Sequence, residues 1–421
     1  MRKGFFNSSQ TQTKTKTITN NPQCAKCKLY LNCVTPKRKP QGTKKIKILH
    51  VHSFHDEEGI KYYKQVLNRL GHKTENALST SACICQTYSE PSKSQISACR
   101  PNLLKCIKEF QPHVIIPSGD EALSALLQHK FTKDIGSISK FRGNLIPDRE
   151  FNAWVCPVFD PNFVLKDKTP ESAELIFRDD LKHALRMLDF EFPAFKDEQE
   201  CVEIIKQPRQ AQAYLRDLLK QDSKLIAFDY ETSGLKPHRS EQRIASIAFS
   251  NKIDHGISFK MFDDEKFLHA LKLVLKSKDL KKICANIKFE KDWSEVKLGF
   301  QLNGLFFDTM IGSHFLNNIP GITGLKHQVY INFGTPQYNS HIEKLLESTP
   351  KEKKQYGGNG LNQIHKIDLQ DLLIYGGVDA LLEFKLGLLQ MDIIGIDYSK
   401  YYSGPSGFDI CPHIKELRSC K

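Results

Sequence analysis

The stretch at residues 224–235 constrains the fold of this chain most strongly, because it places two acidic residues at the end of an apolar strand. Residues 225–228 form a short apolar run, and a Ser-Gly turn signal follows shortly after it. Asp229 and Glu231 are two positions apart, so the two-residue period of a strand directs both carboxylates to one face. Two buried carboxylates repel each other unless a cation lies between them. The pattern therefore indicates a site for Mg²⁺ or Mn²⁺, and a solvated Asp-x-Glu at a strand end is the alternative.

Size and composition limit the class of protein. The 421 residues are enough for two or three domains, and 40% hydrophobic with 26% charged residues is typical of globular proteins. No apolar run is long enough to span a bilayer. The first residues, Met-Arg-Lys-Gly-Phe-Phe-Asn, lack the apolar segment of a secretory signal. We therefore expect a cytoplasmic protein with no membrane partner.

The charge of the chain favours a polyanionic partner. The formal net charge is +13 and the isoelectric point is near 9.0. Residues 1–23 carry four Lys or Arg and no acid, and residues 34–47 carry six and no acid. A basic surface can simply aid solubility, but two acid-free basic stretches favour nucleic acid.

Alternating strand and helix patterns predict an α/β fold on both sides of a boundary near residue 190. The first part should contain a parallel sheet, and the second a mixed sheet with three strands, a helix, a strand and a helix in that order. We predict a disordered basic tail at 1–20, a first domain at 21–190, a linker at 191–205, a second domain at 206–400 and a C-terminal tail at 401–421.

A second set of acidic residues follows the acidic strand. Glu290 should lie in the first turn of a helix that begins near Asn286, and Asp292 should face away from it. A long helical pattern at residues 369–390 contains Tyr375 and Asp379, which are four positions apart and so share one face. The two glycines between them cost helix stability, which indicates close packing at that point.

Together these residues resemble a known family. The motifs are Asp229-x-Glu231, Asn286-x-x-Phe289-Glu290 and Tyr375-x3-Asp379. In this order they resemble the 3′–5′ proofreading exonuclease domain attached to family A DNA polymerases, in the subclass with four carboxylates and a tyrosine. The resemblance covers about residues 200–400, and Phe307-Asp308-Thr309-Met310 with residues 321–328 resembles phage versions. It implies a ribonuclease H-like fold.

The resemblance also implies roles for individual residues. Asp229, Glu231 and Asp379 would hold two Mg²⁺ or Mn²⁺ ions, Glu290 would assist where most members have Asp, and Tyr375 would orient the attacking water. Leu235, Asn286 and Phe289 would contact the substrate, which is DNA with a single-stranded 3′ end.

Cysteine spacing indicates a second site. Twelve cysteines in a cytoplasmic chain are more typical of thiols or metal ligands than of disulfides. Cys24-x2-Cys27 has ligand spacing, Cys33 is nearby, and a second group consists of Cys83, Cys85, Cys99 and Cys106.

Residues 22–165 resemble the iron–sulfur branch of the uracil-DNA glycosylase superfamily, so the first domain is expected to have its three-layer fold. The matching segments are Cys24-x2-Cys27, Thr80-x4-Cys85, Cys99-Arg-Pro-Asn-Leu, residues 112–119 with Ala122, and Phe141-Arg-Gly143. The resemblance implies a [4Fe–4S] cluster on Cys24, Cys27, Cys85 and Cys99. Cys83 is the competing third ligand, zinc is the competing metal, and a domain without metal is a further alternative.

The glycosylase active site is changed in this chain. The family's Gly-Glu-x-Pro-Gly motif aligns with residues 52–57, where only Asp56 or Glu57 could activate water. Its His-Pro-Ser motif aligns with Asp160-Pro161-Asn162, which lacks the histidine. We therefore expect DNA binding or docking rather than base removal.

The resulting hypothesis is a metal-dependent 3′–5′ DNA exonuclease of a phage-like replication system, acting in the host cytoplasm if phage-encoded. About 20 residues follow residue 400, too few for a polymerase domain, so either a DNA polymerase would be a separate partner chain or this chain would be a trimmed product of one. The alternatives are a non-catalytic DNA-binding scaffold of a polymerase complex and an active uracil-DNA glycosylase fused to the exonuclease.

Overall fold

The computed structural model describes residues 22–87, 89–166 and 170–419. The predicted tail at 1–20 lies outside these residues. The first six strands are β1 (Gln41–Gly42), β2 (Ile48–His52), β3 (Leu78–Ser81), β4 (Val114–Ser118), β5 (Ile146–Asp148) and β6 (Ala153–Val155). The helices among and beside them are α1 (Pro22–Cys27), α2 (Glu57–Arg69), α3 (Lys93–Phe110), α4 (Asp120–Leu127), α5 (Pro161–Lys166) and α6 (Pro170–Arg186).

Six further strands are β7 (Val202–Ile204), β8 (Leu225–Thr232), β9 (Ile244–Lys252), β10 (His255–Lys260), β11 (Lys281–Cys284) and β12 (Leu305–Asp308). Their helices are α7 (Pro208–Lys220), α8 (Glu265–Lys276), α9 (Ile287–Lys297), α10 (Thr309–Leu316), α11 (Leu325–Phe333), α12 (Glu343–Leu346), α13 (Pro350–Tyr356), α14 (Leu369–Ile394), α15 (Gly407–Ile410) and α16 (Pro412–Ser419). Short 3₁₀ turns connect several of these elements.

The first sheet has the order β1-β3-β2-β4-β6-β5. Its four inner strands are parallel, and the two edge strands are antiparallel to their neighbours. Every residue of β2 is buried. The reason is that helices cover both faces: Leu49 and Val51 pack with α3 and α4, whereas Ile48 packs with α2 and α6.

The second sheet has the order β12-β11-β8-β9-β10-β7 and is mixed, as predicted. The pairs β8–β9 and β9–β10 are antiparallel, and the remaining three are parallel. Helices α7 and α8 pack on one face of this sheet, and α14 crosses β8, β9 and β10. The predicted α/β fold class is therefore confirmed for both parts of the chain.

Two regions have more structure than the sequence indicated. The predicted linker at 191–205 ends in β7, which pairs with β10 and so belongs to the second sheet. The predicted tail at 401–421 contains α15 and α16, and the His413 ring packs 4.7 Å from that of Trp154. The domain limits themselves stay a prediction. No helix in the described ranges has the length and apolar composition that crossing a bilayer requires.

The two sheets are joined by buried polar contacts on α11. The hydroxyl of Tyr330 donates to Asp148 of β5 at 2.7 Å, and the ammonium of Lys130 lies 2.8 Å from the same carboxylate. Arg149 bonds Glu198 through two nitrogens and also donates to the carbonyl of Phe333. The last residues of β5 and the loop after it therefore bind directly to α11 and to the turn before β7.

The glycines in α14 permit close packing against the sheet, as the sequence indicated. A Cβ on Gly377 would lie 2.4 Å from Cγ1 of Val202 in β7, whereas a Cβ on Gly376 would meet its nearest atom, on Glu231, at 3.4 Å. We expect Gly377→Ala to lower the free energy of unfolding by about 1–3 kcal/mol, because the clash exceeds the gain in helix propensity. Gly376→Ala is the control, and thermal unfolding of both variants is the measurement. Equal melting temperatures for the two variants would contradict this packing.

Candidate active site

Two elements direct three carboxylates toward one point. Strand β8 continues through Thr232 rather than ending at the acids, because Asp229 and Glu231 pair with Ala248 and Ser246 of β9. Helix α14 crosses this sheet and presents Asp379. One oxygen from each of Asp229, Glu231 and Asp379 lies within 4.8 Å of the others. Within the described ranges, this is the one group of three candidate metal ligands at such a spacing.

The carboxylates of β8 are strongly perturbed. Burial raises the pKa of Asp229 to about 7, and the charge of Asp379 adds to the effect. Burial and then the charge of Asp229 raise the pKa of Glu231 well above its usual value. Neighbouring acids that retain protons indicate a site in which the charged state needs a cation.

A lysine and a tyrosine that the sequence analysis missed contact Asp379. The ammonium of Lys326, in α11, and the hydroxyl of Tyr338 both donate to its Oδ1, and Lys326 also donates to Tyr338 at 2.5 Å. The same ammonium lies 4.6 Å from the centre of the Tyr375 ring. Lys326 therefore supplies positive charge at the edge of the carboxylate group.

Tyr375 lies one turn before Asp379 on the same face of α14, as predicted. Burial, followed by the charge of Asp379, raises the pKa of its phenol well above the usual value. The phenol therefore keeps its proton near neutral pH and can donate it in a hydrogen bond.

Two further glutamates are buried beside this group. Glu290 lies in the first turn of α9, as predicted, and Glu383 follows Asp379 by one turn of α14. Neither Oε2 has a hydrogen-bond partner among the described residues, and burial followed by the charge of Asp229 raises both pKa values. The sequence analysis missed Glu383, although its spacing from Asp379 repeats that of Tyr375.

The carboxylates open into a pocket of about 420 Å³. Leu235, which is 55% exposed, and Phe289 line it together with Tyr375. The substrate contacts expected for Leu235 and Phe289 stay a prediction. Asn286 and Glu290 are not among the lining residues. The backbone N–H of Asn286 instead donates to Asp308, which also caps the start of α10.

The donor set fits divalent cations. Three carboxylates within 4.8 Å offer hard oxygen ligands, and two buried glutamate oxygens beside them have no partner among the described residues. An uncompensated group of buried acids is costly unless it binds protons or cations.

The raised pKa of Asp229 predicts how pH and metal affect stability. Its usual pKa is 3.8 and its folded value is about 7, so the folded protein holds a proton that the unfolded chain releases. Its stabilising contribution is therefore complete below pH about 4 and is lost as pH rises through 7. We expect the Tm in EDTA to fall over this range relative to that of Asp229→Asn, and Mg²⁺ or Mn²⁺ to restore it at pH 8. A difference between the two proteins that does not vary with pH would contradict the assignment.

The cysteines of the first domain lie together. All six cysteines named here are free thiols, and Cys27 lies near Cys24 and Cys99, Cys83 near Cys99, and Cys85 near Cys33. Donation from Cys83 and from the backbone N–H of Ile84 lowers the pKa of Cys99 to about 6. No three described sulfurs lie within 4.8 Å of one another, whereas one tetrahedral zinc ion brings its thiolates to about 3.8 Å apart.

The loops that align with glycosylase motifs are closely packed. A Cβ on Gly119 would lie 2.3 Å from the hydroxyl oxygen of Ser53 and 2.9 Å from Oδ2 of Asp160. Asp56 caps α2 by accepting from the backbone of Gly59 at 2.7 Å. Asp56, one of the two candidate water activators, thus has a structural role, and little space remains between Ser53 and Asp160.

Comparison with known families agrees with both resemblances. Residues 202–386 match the model of the family described as 3'-5' exonuclease, and residues 49–182 match that of the Uracil DNA glycosylase superfamily. The chain thus combines a glycosylase-like region with a region similar to 3′–5′ exonucleases. A search among curated proteins finds no match.

Several solved structures are similar to about half of the chain. Brucella melitensis NrnC with bound Mg²⁺ has 18% identity and a TM-score of 0.32, covering 52% of this chain and 92% of NrnC. Trypanosoma brucei RNase D has 12% identity and a TM-score of 0.34, covering 50% of this chain and 76% of RNase D. The POL domain of Pol1 from M. smegmatis has 12% identity and a TM-score of 0.30, covering 47% of this chain and 28% of that one.

Proposed function

We propose that this chain, whose residues 202–386 match the 3'-5' exonuclease family, removes nucleotides from the 3′ end of DNA by metal-dependent phosphodiester hydrolysis. The observation that carries this proposal is the meeting of Asp229, Glu231 and Asp379 within 4.8 Å. A set of buried acids at the base of an open pocket destabilises the fold unless a cation compensates its charge.

Asp229, Glu231 and Asp379 would hold two Mg²⁺ or Mn²⁺ ions, and Glu290 would assist through a water molecule. Such ions, when bound, make hydroxide available near neutral pH and stabilise the charge of a leaving oxygen. The ammonium of Lys326 bonds Asp379 and so fixes the orientation of that carboxylate. Glu383 is buried beside this group of carboxylates with a raised pKa, so bound cations would favour its ionised form.

Tyr375 would donate a hydrogen bond to the attacking water and so orient it, because its phenol is protonated and faces the pocket. We expect Tyr375→Phe to lower kcat by about 10²-fold while metal affinity changes little, since the ring and all carboxylates remain. Single-turnover rates over a titration of Mn²⁺ separate the two effects. Loss of metal affinity without loss of the maximal rate would assign Tyr375 to the metal site instead.

The pocket suits an unstacked 3′-terminal base. Leu235 and Phe289 provide apolar contacts, and Asn286 would reach substrate only from outside the pocket lining.

Digestion of a 5′-labelled single strand tests the activity and its direction. A ladder that shortens from the 3′ end with Mg²⁺, and stops in EDTA, is the expected result. Binding of the strand without any shortening, under conditions that also include Mn²⁺, would favour the alternative of a non-catalytic scaffold.

For the first domain we propose DNA binding or docking. The positive net charge supports it, and the packing of Gly119 against Ser53 and Asp160 argues against a base-accepting pocket at that point. Formation of abasic sites in uracil-containing DNA would instead establish glycosylase activity.

We propose that Cys24, Cys27, Cys85 and Cys99 hold a [4Fe–4S] cluster, because Cys27 lies near Cys24 and Cys99 and Cys85 also lies near Cys99, and four thiolates are the usual ligands of such a cluster. Cys83, whose thiol interacts with that of Cys99, is the competing ligand. An anaerobically purified, brown protein that absorbs near about 400 nm is expected, and a colourless one would favour zinc or no metal.

A phage-like replication system with a separate DNA polymerase as partner is the context we propose, and proofreading is the corresponding role. Stimulation of digestion at a mismatched 3′ end by the polymerase would support proofreading over general degradation.

A further inference from the structure

A loop of the first domain contacts the segment that forms one side of the carboxylate pocket. The loop consists of residues 131–135, shortly after α4. The backbone N–H of Thr132 donates to Oε1 of Gln337 at 3.0 Å, and the Thr132 hydroxyl donates to Glu343 of α12. The side-chain amide of Gln337 also donates to Glu343, at 2.8 Å. These bonds hold the loop beside α12, and Leu346 at the end of that helix lines the pocket.

The next residue of this loop, Lys133, pairs with an acid of the pocket. Its ammonium lies 2.9 Å from Oε1 of Glu347 and 3.2 Å from Oε1 of Glu343. Glu347 lines the pocket, and its Oε2 accepts a hydrogen bond at 2.8 Å from Lys353, which also lines it. Hydrogen bonds from Lys353 and Lys133 lower the pKa of Glu347 to about 2. One ionised carboxylate therefore lies between two ammonium groups, of which the first domain supplies one.

This arrangement contributes little to stability but suits a phosphate group. The side chains of Lys133 and Lys353 are 70% and 48% exposed, and ion pairs with such exposure add little to the stability of a fold. Lysine ammonium groups bind phosphate as well as carboxylate. An ionised acid in a pocket that receives DNA repels the strand, unless a phosphate replaces that acid between the two ammonium groups.

We propose that Lys133 of the first domain and Lys353 bind a backbone phosphate of the strand whose 3′ end enters the pocket, and that Glu347 occupies the phosphate position until the strand binds. This inference rests on the proposed function, because it takes a DNA strand as the occupant of the pocket. Lys133 does not line the pocket, so it acts on strand binding rather than on bond cleavage. The first domain thus holds the substrate of the second one directly.

Binding of a 5′-labelled single-stranded oligonucleotide, followed by fluorescence anisotropy over a range of salt concentrations, tests this proposal. The full chain carries Asp379→Asn in every case, so that the strand stays intact. Lys133→Ala removes the first-domain ammonium, and Glu347→Gln removes the competing charge with little change of shape. Lys105→Ala and Glu109→Gln are the matched controls, because these two residues form an ion pair of the first domain, are 74% and 64% exposed and do not line the pocket.

We expect Lys133→Ala to weaken binding about 5-fold at about 0.1 M salt and to reduce the slope of log affinity against log salt by about 0.7, the value for one phosphate contact to a single strand. Glu347→Gln should tighten binding, because the phosphate no longer competes with a carboxylate. Both controls should bind like the Asp379→Asn protein itself.

If the pair of Lys133 and Glu347 only held the two domains together, both of its variants would change the affinity in the same direction. That outcome, an unchanged salt slope in Lys133→Ala, or no strand binding at all would overturn the proposal. Failure of the exonuclease assignment is distinguishable, because the strand would then stay intact with the wild-type protein while the changes in binding persist.

Discussion

Replacing Asp379 with asparagine is expected to lower the rate of 3′-end removal by at least about 10³-fold. The carboxylate of Asp379 is one of the three that meet within 4.8 Å, and Lys326 and Tyr338 both donate to it. Changing a residue that merely supports a metal ligand costs about 10–100-fold, so loss of a ligand's charge should cost more. The amide has nearly the shape of the carboxylate, which keeps the packing of α14 intact.

Asp371→Asn is the matched control, because Asp371 is an exposed acid in the first turn of the same helix. Its rate should equal that of wild type. The measurements are the rate of shortening of a labelled single strand and the affinity for Mn²⁺, and both should fall in Asp379→Asn. Full activity in Asp379→Asn would show that the three carboxylates are not required for the reaction.

Replacing Asp148 with alanine is expected to have the largest effect on stability, about 3 kcal/mol. Asp148 is 1% exposed and accepts hydrogen bonds from Tyr330 and Lys130. Its replacement removes the acceptor of the buried Tyr330 hydroxyl and one partner of the buried Lys130 ammonium. Breaking a buried ion pair costs about 3–5 kcal/mol, and the low end applies because Lys130 retains Glu150 at 2.7 Å. Thermal unfolding followed by circular dichroism is the measurement.

Glu150→Ala is the control for this variant, because Glu150 is half exposed and such pairs contribute about 0–1 kcal/mol. We also expect Asp148→Ala to lower exonuclease activity, since Tyr330 lies one turn after Lys326 on α11. If Asp148→Ala is destabilised but fully active, the contact between α11 and the first domain is not needed to position Lys326.

The parts of the site that sequence predicts are those with local signals. Asp229 and Glu231 continue a strand that begins with an apolar run, and Tyr375 and Asp379 share one face of a long helix, so the period of each element fixes their direction. The α/β class follows from alternating elements in the same way. Such patterns need no knowledge of which elements meet.

The parts that sequence did not predict depend on contacts between distant segments. Lys326 and Tyr338 reach Asp379 from another helix and from the loop after it, and neither stands in a pattern of acids. The burial of every residue in β2 follows from helices on both faces, which one strand's pattern does not reveal.

Helix α11 has a consequence for attempts to divide the chain. Tyr330 and Ile331 are members of the apolar cluster of the first domain, together with Leu49 and Val51 of β2. A truncation that starts at residue 202 would leave both side chains facing water, and we expect such a fragment to aggregate. The two halves are thus not independent modules, and we expect neither to keep its fold when it is fused to another protein.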